Sequence, residues 1–152
     1  MKLIVISGAK NSKKDLLAMS LANNPDVVWI KPYSNRKIPI NADPHDDFIA
    51  LNDSQLNVKL SREVPLAETI VKGNRYIFFE NQLKGEYVLI IGDDRIAYNI
   101  ENNWDGEVIS IRCHSDDERS SSRFLMADEE FDYVFNYGTD DLDEFKEMIL
   151  DA

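Results

Sequence analysis

Leu3-Ile4-Val5-Ile6-Ser7-Gly8-Ala9-Lys10-Asn11-Ser12-Lys13-Lys14-Asp15 is the stretch that decides the reading of this chain. Its first four residues form a short apolar run rich in β-branched side chains, which suits a strand buried in a parallel sheet. Ser7 to Asn11 follow as a loop. Ser12 and Asp15 stand at capping-box spacing, and Leu16, Leu17, Ser20 and Leu21 continue at helical spacing until Asn23-Asn24-Pro25.

Strand, loop and helix in that order form the frame of a phosphate-binding loop. Such a loop needs glycines, so that backbone N–H groups point at phosphate oxygens, a lysine for the β- and γ-phosphates, and a neighbouring Ser or Thr for Mg²⁺. Against the pattern G-x-x-x-x-G-K-[ST], Gly8 and Lys14 are in register. Lys13 stands in place of the second glycine and Asp15 in place of the hydroxyl. A lysine at the second-glycine position must project away from a bound phosphate. Asp15 offers a carboxylate to a metal but places negative charge beside a polyphosphate. The same segment also reads as an ordinary strand-to-helix turn closed by a Ser/Asp capping box.

Further along, Val27-Val28-Trp29-Ile30 reads as a second strand. Residues 31–47, polar and with three prolines, read as a long loop. Thr69-Ile70-Val71 and Arg75-Tyr76-Ile77-Phe78-Phe79, joined by Lys72-Gly73-Asn74, read as a β-hairpin. Val88-Leu89-Ile90-Ile91 reads as a buried strand running into the polar loop Gly92-Asp93-Asp94, and Val108-Ile109-Ser110-Ile111 as another strand. Ser115-Asp116-Asp117-Glu118 has capping-box form and predicts a helix to about Met126. Tyr133-Val134-Phe135-Asn136 reads as a late strand. Leu142, Phe145 and Ile149 line one face of a final helix whose positive end attracts Asp140, Asp141 and Asp143. Alternation of strands and helices predicts an α/β fold, a parallel sheet with helices on both faces and a small inserted β-hairpin lobe, with ligands at the carboxyl ends of the strands.

Composition sets the limits. The chain has 152 residues, 43% hydrophobic and 10% aromatic, which predicts one compact folded domain over residues 1–152. There is no apolar run long enough for a membrane span and no signal-peptide pattern at the start, and Cys113, the single cysteine, has no partner for an internal disulfide. These features predict a cytoplasmic protein. A net charge of −11 argues against a nucleic-acid surface. Residues 1–76 carry a balance of +3 and residues 77–152 one of −14, so an anionic ligand belongs near the first half. A solvated acidic face on C-terminal helices explains the same asymmetry.

Taken in order, these segments resemble the guanylate kinase family from end to end. Val5-Ile6-Ser7-Gly8 with Lys14 resembles its first strand and phosphate loop. Lys31 to Pro39 resembles T-T-R-x-P-R, Asp47-Phe48-Ile49-Ala50-Leu51 resembles D-Y-x-F-V, and Gly73-Asn74-Arg75-Tyr76 resembles G-N-Y-Y-G. Ser115 to Arg123 resembles the lid region. Asp132 to Asn136 with Asp140-Asp141-Leu142 resembles Y-D-x-V-I-x-N-D-D-L.

The resemblance implies a P-loop nucleoside monophosphate kinase-like fold, with residues about 31–80 as the monophosphate-binding lobe. It implies phosphoryl transfer from ATP, with Mg²⁺, to GMP or dGMP. Lys14, Arg119 and Arg123 take the catalytic roles; Gly8, Lys13, Ser34, Arg36, Tyr76 and Asp93 take nucleotide-binding roles; Asp15 faces the metal. The departures point to weak activity. Ile40 or Asn41 stands where a second arginine belongs, Phe48 lacks the tyrosine hydroxyl, and the acidic strand end D-x-D-x-Q-G is reduced to Ile90-Ile91-Gly92-Asp93-Asp94, where Asp93 or Asp94 serves after a one-residue shift. The alternative is a catalytically silent module that keeps the acceptor pocket and binds a nucleotide, or a phosphorylated or acidic protein partner. For single residues the plainer readings are a solvated Arg36, a packing Tyr76, Arg119 and Arg123 paired with nearby acids, and a buried inert thiol at Cys113. His45 and His114 have no further ligand at metal spacing.

Overall fold

A computed structural model describes residues 1–38, 47–118 and 126–150. Its centre is a five-stranded sheet in the order β2-β7-β1-β8-β9, made of β1 (Lys2–Ser7), β2 (Val27–Trp29), β7 (Tyr87–Ile91), β8 (Glu107–His114) and β9 (Tyr133–Asn136). Every pairing in it is parallel. β1 lies in the middle, and Leu3 through Ile6 have no solvent exposure. Because side chains alternate along a strand, Leu3 and Val5 face one way and Ile4 and Ile6 the other. Leu3 and Val5 meet Ile96, Ala97 and Ile100 of α3 (Asp94–Asn103). Ile4 and Ile6 meet Leu17 and Leu21 of α1 (Lys14–Ala22) and Phe145 and Ile149 of α4 (Leu142–Leu150). Helices thus cover both faces, as the apolar run at the start predicts.

The second sheet has the order β4-β3-β6-β5, from β3 (Tyr33–Ser34), β4 (Ile49–Ala50), β5 (Pro65–Val71) and β6 (Asn74–Phe79). β5 and β6 form the predicted hairpin. Lys72 and Gly73 turn it with φ of 52° and 80°, the two positive values that a tight hairpin needs. The hairpin is half of this sheet, because Tyr33 and Ser34, expected in a loop, pair with Ile77 and Tyr76. One face packs Leu66, Ala67 and Phe78 into the cluster around α3. On the other, Ile77 and Phe79 pack with Leu56 of α2 (Asp53–Arg62).

Two helices depart from the sequence reading. α3 occupies what reads as a polar loop after Ile91. Asp93 is its N-cap, accepting the Ile96 N–H at 3.0 Å. α2 is closed by a full capping box between Asn52 and Gln55. No helix starts at Ser115: residues 115–118 form a turn in which the Glu118 N–H donates to Ser115 O. The rest of that expected helix, with Arg119 and Arg123, lies outside the described residues, as do Ile40, Asn41 and His45. At α4 the expected acid is in place, since Asp141 accepts the Glu144 N–H at 3.0 Å.

Candidate functional site

β1 is flanked by β7 and β8, and the chain leaves it in one direction and returns on the other side. This reversal leaves a crevice at the carboxyl ends of the strands. Three loops converge there: Gly8–Lys13 after β1, Gly92-Asp93 after β7 and Ser115–Glu118 after β8. Between these ends and the small sheet lies a cavity of about 320 Å³, whose lining includes Lys14, Asp15, Lys31, Thr69, Tyr76 and Asp93. That is the low end of small-ligand pocket volumes, about 300–1,000 Å³.

The loop after β1 has a specific backbone. Asn11 and Lys13 take left-handed φ of 65° and 68°. Lys13, in the place of the second glycine, holds a conformation that normally costs a residue with a Cβ about 1–2 kcal/mol. Its side chain turns away, with Nζ 3.7 Å from Asp117. Lys13 is also the N-cap of α1 and gives it no side-chain bond, so the expected Ser12 capping box does not form. Ser12 is instead fully buried. A Cβ on Gly8 would stand 2.4 Å from Ser12 Oγ and 2.7 Å from Cys113 O, so this position must be glycine for the loop to close on β8. β8 holds the loop in return: Cys113 Sγ donates to Ser12 O at 3.2 Å, and the Ser115 hydroxyl to Asn11 O. Burial pushes the Cys113 thiol up to about 12, against a smaller opposing pull from Lys14.

Lys14 lines the cavity and its Nζ donates to Ala9 O at 3.3 Å, folded over the loop. Asp15 lines the cavity from the exposed side of α1. Tyr76 lines it from β6 and meets Phe48 edge-on, with ring centroids 6.1 Å apart. Arg36 is exposed, with its guanidinium 5.8 Å from the Phe48 ring; its N–H donates to the fully buried Ser34 Oγ. Lys14, Asp15, Tyr76 and Asp93 therefore share one cavity. Arg36 stands against Phe48 and Ser34 lies beneath it.

The strand-end acids divide their work. Asp93 Oδ2 accepts the Thr69 hydroxyl at 2.6 Å, a bond from α3 to the small sheet. Asp94 is 1% exposed and faces Arg112, which is 0% exposed. Oδ1 of Asp94 accepts the Ser7 hydroxyl at 2.8 Å and lies 3.0 Å from Arg112 Nη1. Oδ2 accepts Arg112 Nη2 at 3.0 Å and the Met126 N–H at 2.9 Å. Burial pushes this carboxyl up, but Arg112, the Met126 N–H and Ser7 outweigh it and hold it below its ordinary value. Arg112 also donates to Met126 O, lies 3.4 Å from Asp128 and stacks 4.3 Å from the Phe131 ring. Next to it, His114 bridges Glu118 and Asp128 at 2.8–3.1 Å.

These contacts bear on Mg²⁺, which such a site would hold through one or two carboxylates together with phosphate oxygens. Both oxygens of Asp94 already face two donors each, and both of Asp93 accept bonds. Asp15 remains. Among the described residues no group of three or more His, Cys, Asp or Glu is placed to hold a metal ion. The buried Asp94 carboxylate does not fit the metal.

Trp29 and Thr69 line the cavity without any motif to announce them, and Lys31, at the head of the segment that resembles T-T-R-x-P-R, lines it without a role given to it by that resemblance. Each is a single residue at a strand or strand end, and only the fold brings it to the crevice.

No protein-family model matches the sequence, and no curated protein is significantly similar to it. Among solved structures, the guanylate kinase from Anaplasma phagocytophilum superposes with a TM-score of 0.69 at 17% sequence identity, covering 98% of this chain and 82% of that one. The fold is guanylate kinase-like.

Proposed function

We propose that this guanylate kinase-like chain binds a purine nucleoside monophosphate, GMP or dGMP, in the cavity between its two sheets, and transfers phosphoryl groups from ATP to it only slowly. The observation that carries this reading is the convergence of Lys14, from the loop–helix unit, and Tyr76, from the small sheet, on one cavity. A lysine and a phenol on opposite walls suit an anionic ligand with a polar edge, and the apolar lining from Ile30, Phe78 and Ile96 suits a planar base. The left-handed backbone at Asn11 and Lys13 supports a loop still shaped around an anion.

Slow transfer follows from what the site lacks. Phosphoryl transfer rests on positioning and electrostatic stabilisation, and each lost transition-state contact costs about 10²–10³ in rate. Asp15 replaces a hydroxyl, and the strand-end acids are already engaged. Calorimetric titration with GMP, dGMP, ATP and GTP, followed by a coupled kinase assay, tests the reading. Monophosphate binding weakened by Tyr76→Phe and Lys14→Ala, with little turnover, is the expected result. No binding at millimolar nucleotide would refute it.

A further inference from the structure

We infer that phosphate binding in this cavity is independent of divalent metal, with the positive charge supplied by Lys14 and by Lys31, a residue outside the loop motif. The inference rests on the nucleotide-binding reading and specifies how that site meets its anion.

Two observations carry it. The first is the engagement of the strand-end acids, complete at Asp94 and partial at Asp93. Asp94 is committed to Ser7, Arg112 and Met126, so both its oxygens already face two donors each and a guanidinium already balances its charge. Asp93 is committed to Thr69 and to the end of α3. Recruiting Asp94 to a metal would break a network with almost no solvent access, which makes the exchange unfavourable, and recruiting the half-buried Asp93 would compete with the Thr69 hydroxyl.

The second is the placement of Lys31. It lines the cavity with Lys14, and its Nζ sits 3.4 Å from the centroid of the Trp29 ring. Its carbonyl accepts Gln82 Nε2 at 2.7 Å, which fixes the backbone beneath it. Ring contact and anchored backbone together hold the ammonium in place before any ligand arrives, which lowers the ordering cost of binding. Asp15, Asp47 and Asp93 line the same cavity, so the two lysines act by position against fixed phosphate oxygens and not as a diffuse basic patch. The acceptor segment lacks its second arginine, and Lys31 supplies a second cation from the segment's opposite end.

The test uses the whole chain, with GMP and inorganic pyrophosphate titrated calorimetrically in magnesium and again in EDTA. Both probes are expected to bind with the same affinity in the two buffers. Lys31→Met should weaken both by about tenfold or more, the usual scale for a lost hydrogen bond to a charged group, while Lys31→Arg stays near wild type. A tenfold or larger gain on adding magnesium to the wild type overturns the inference, as does an unchanged affinity in Lys31→Met. Pyrophosphate binding without GMP binding sinks the nucleoside monophosphate reading and leaves the inference standing. GMP binding that requires magnesium does the reverse. Failure of both probes in both buffers sinks both.

Discussion

Arg112 and Asp94 face each other across the ends of β8 and α3 with no more than 1% exposure on either, tying β1, β8 and Met126 together. Removing one partner leaves the other charged and buried. Asp94→Ala should cost about 3–5 kcal/mol of stability in urea denaturation. Replacing both, as Asp94→Leu with Arg112→Met, should cost less than the single change because no buried charge is left without its nearest counter-ion. A double variant that loses at least as much as the two singles combined would show that the pair is not coupled.

Gly8 sits where a Cβ would strike both a side chain and a backbone carbonyl. Gly8→Ala should destabilise by about 1–3 kcal/mol through overpacking. Adding Ser12→Ala should recover only part of this loss, because Cys113 O stays in place at 2.7 Å. Complete recovery in the double variant would place the strain on the serine alone.

His114 gives a pH signature. Burial pulls its pKa down, but the hydrogen bonds and charges of Glu118 and Asp128 outweigh that, and the folded value lies above 6.5. A raised pKa means that the protonated imidazole stabilises the fold fully below the unfolded value and that this contribution fades as pH rises through the folded one. The stability advantage of wild type over His114→Gln should therefore be greatest in mildly acidic buffer and shrink as pH rises above the ordinary histidine range. An advantage that grows with pH would contradict the pairing.

Cys113 should be inert in the native protein. With its pKa pushed up to about 12 and no exposure, only about one thiol in 10⁴ ionises at pH 8. Labelling by an aromatic disulfide reagent should follow unfolding and accelerate with urea. Rapid labelling in native buffer would mean that the contact with Ser12 O opens readily.

Much of this architecture is legible in the residues themselves. Leu3 to Ile6, Tyr133 to Asn136 and the Lys72-Gly73 turn carry their structure locally, through β-branching, alternation and a glycine at positive φ. α3 does not, because it begins at an acidic pair that reads as loop and offers only Ile96, Ala97 and Ile100 to the core. α2 buries Leu56 alone. In the site, Lys14, Asp15, Tyr76 and Asp93 carry family-like context and line the cavity, whereas Gly8, Lys13, Ser34 and Arg36 carry the same context and do not line it. The buried Arg112 is not, because an arginine gives no sign of burial until its acid, 18 residues away, is folded beside it. Nor does sequence announce Thr69, whose partner Asp93 lies 24 residues on.

The bond between Thr69 and Asp93 stitches the small sheet to the start of α3 at the wall of the cavity. Its consequence is mechanical. Thr69 sits on β5 and Asp93 at the start of α3, so this one hydroxyl fixes the spacing of the two cavity walls where they meet.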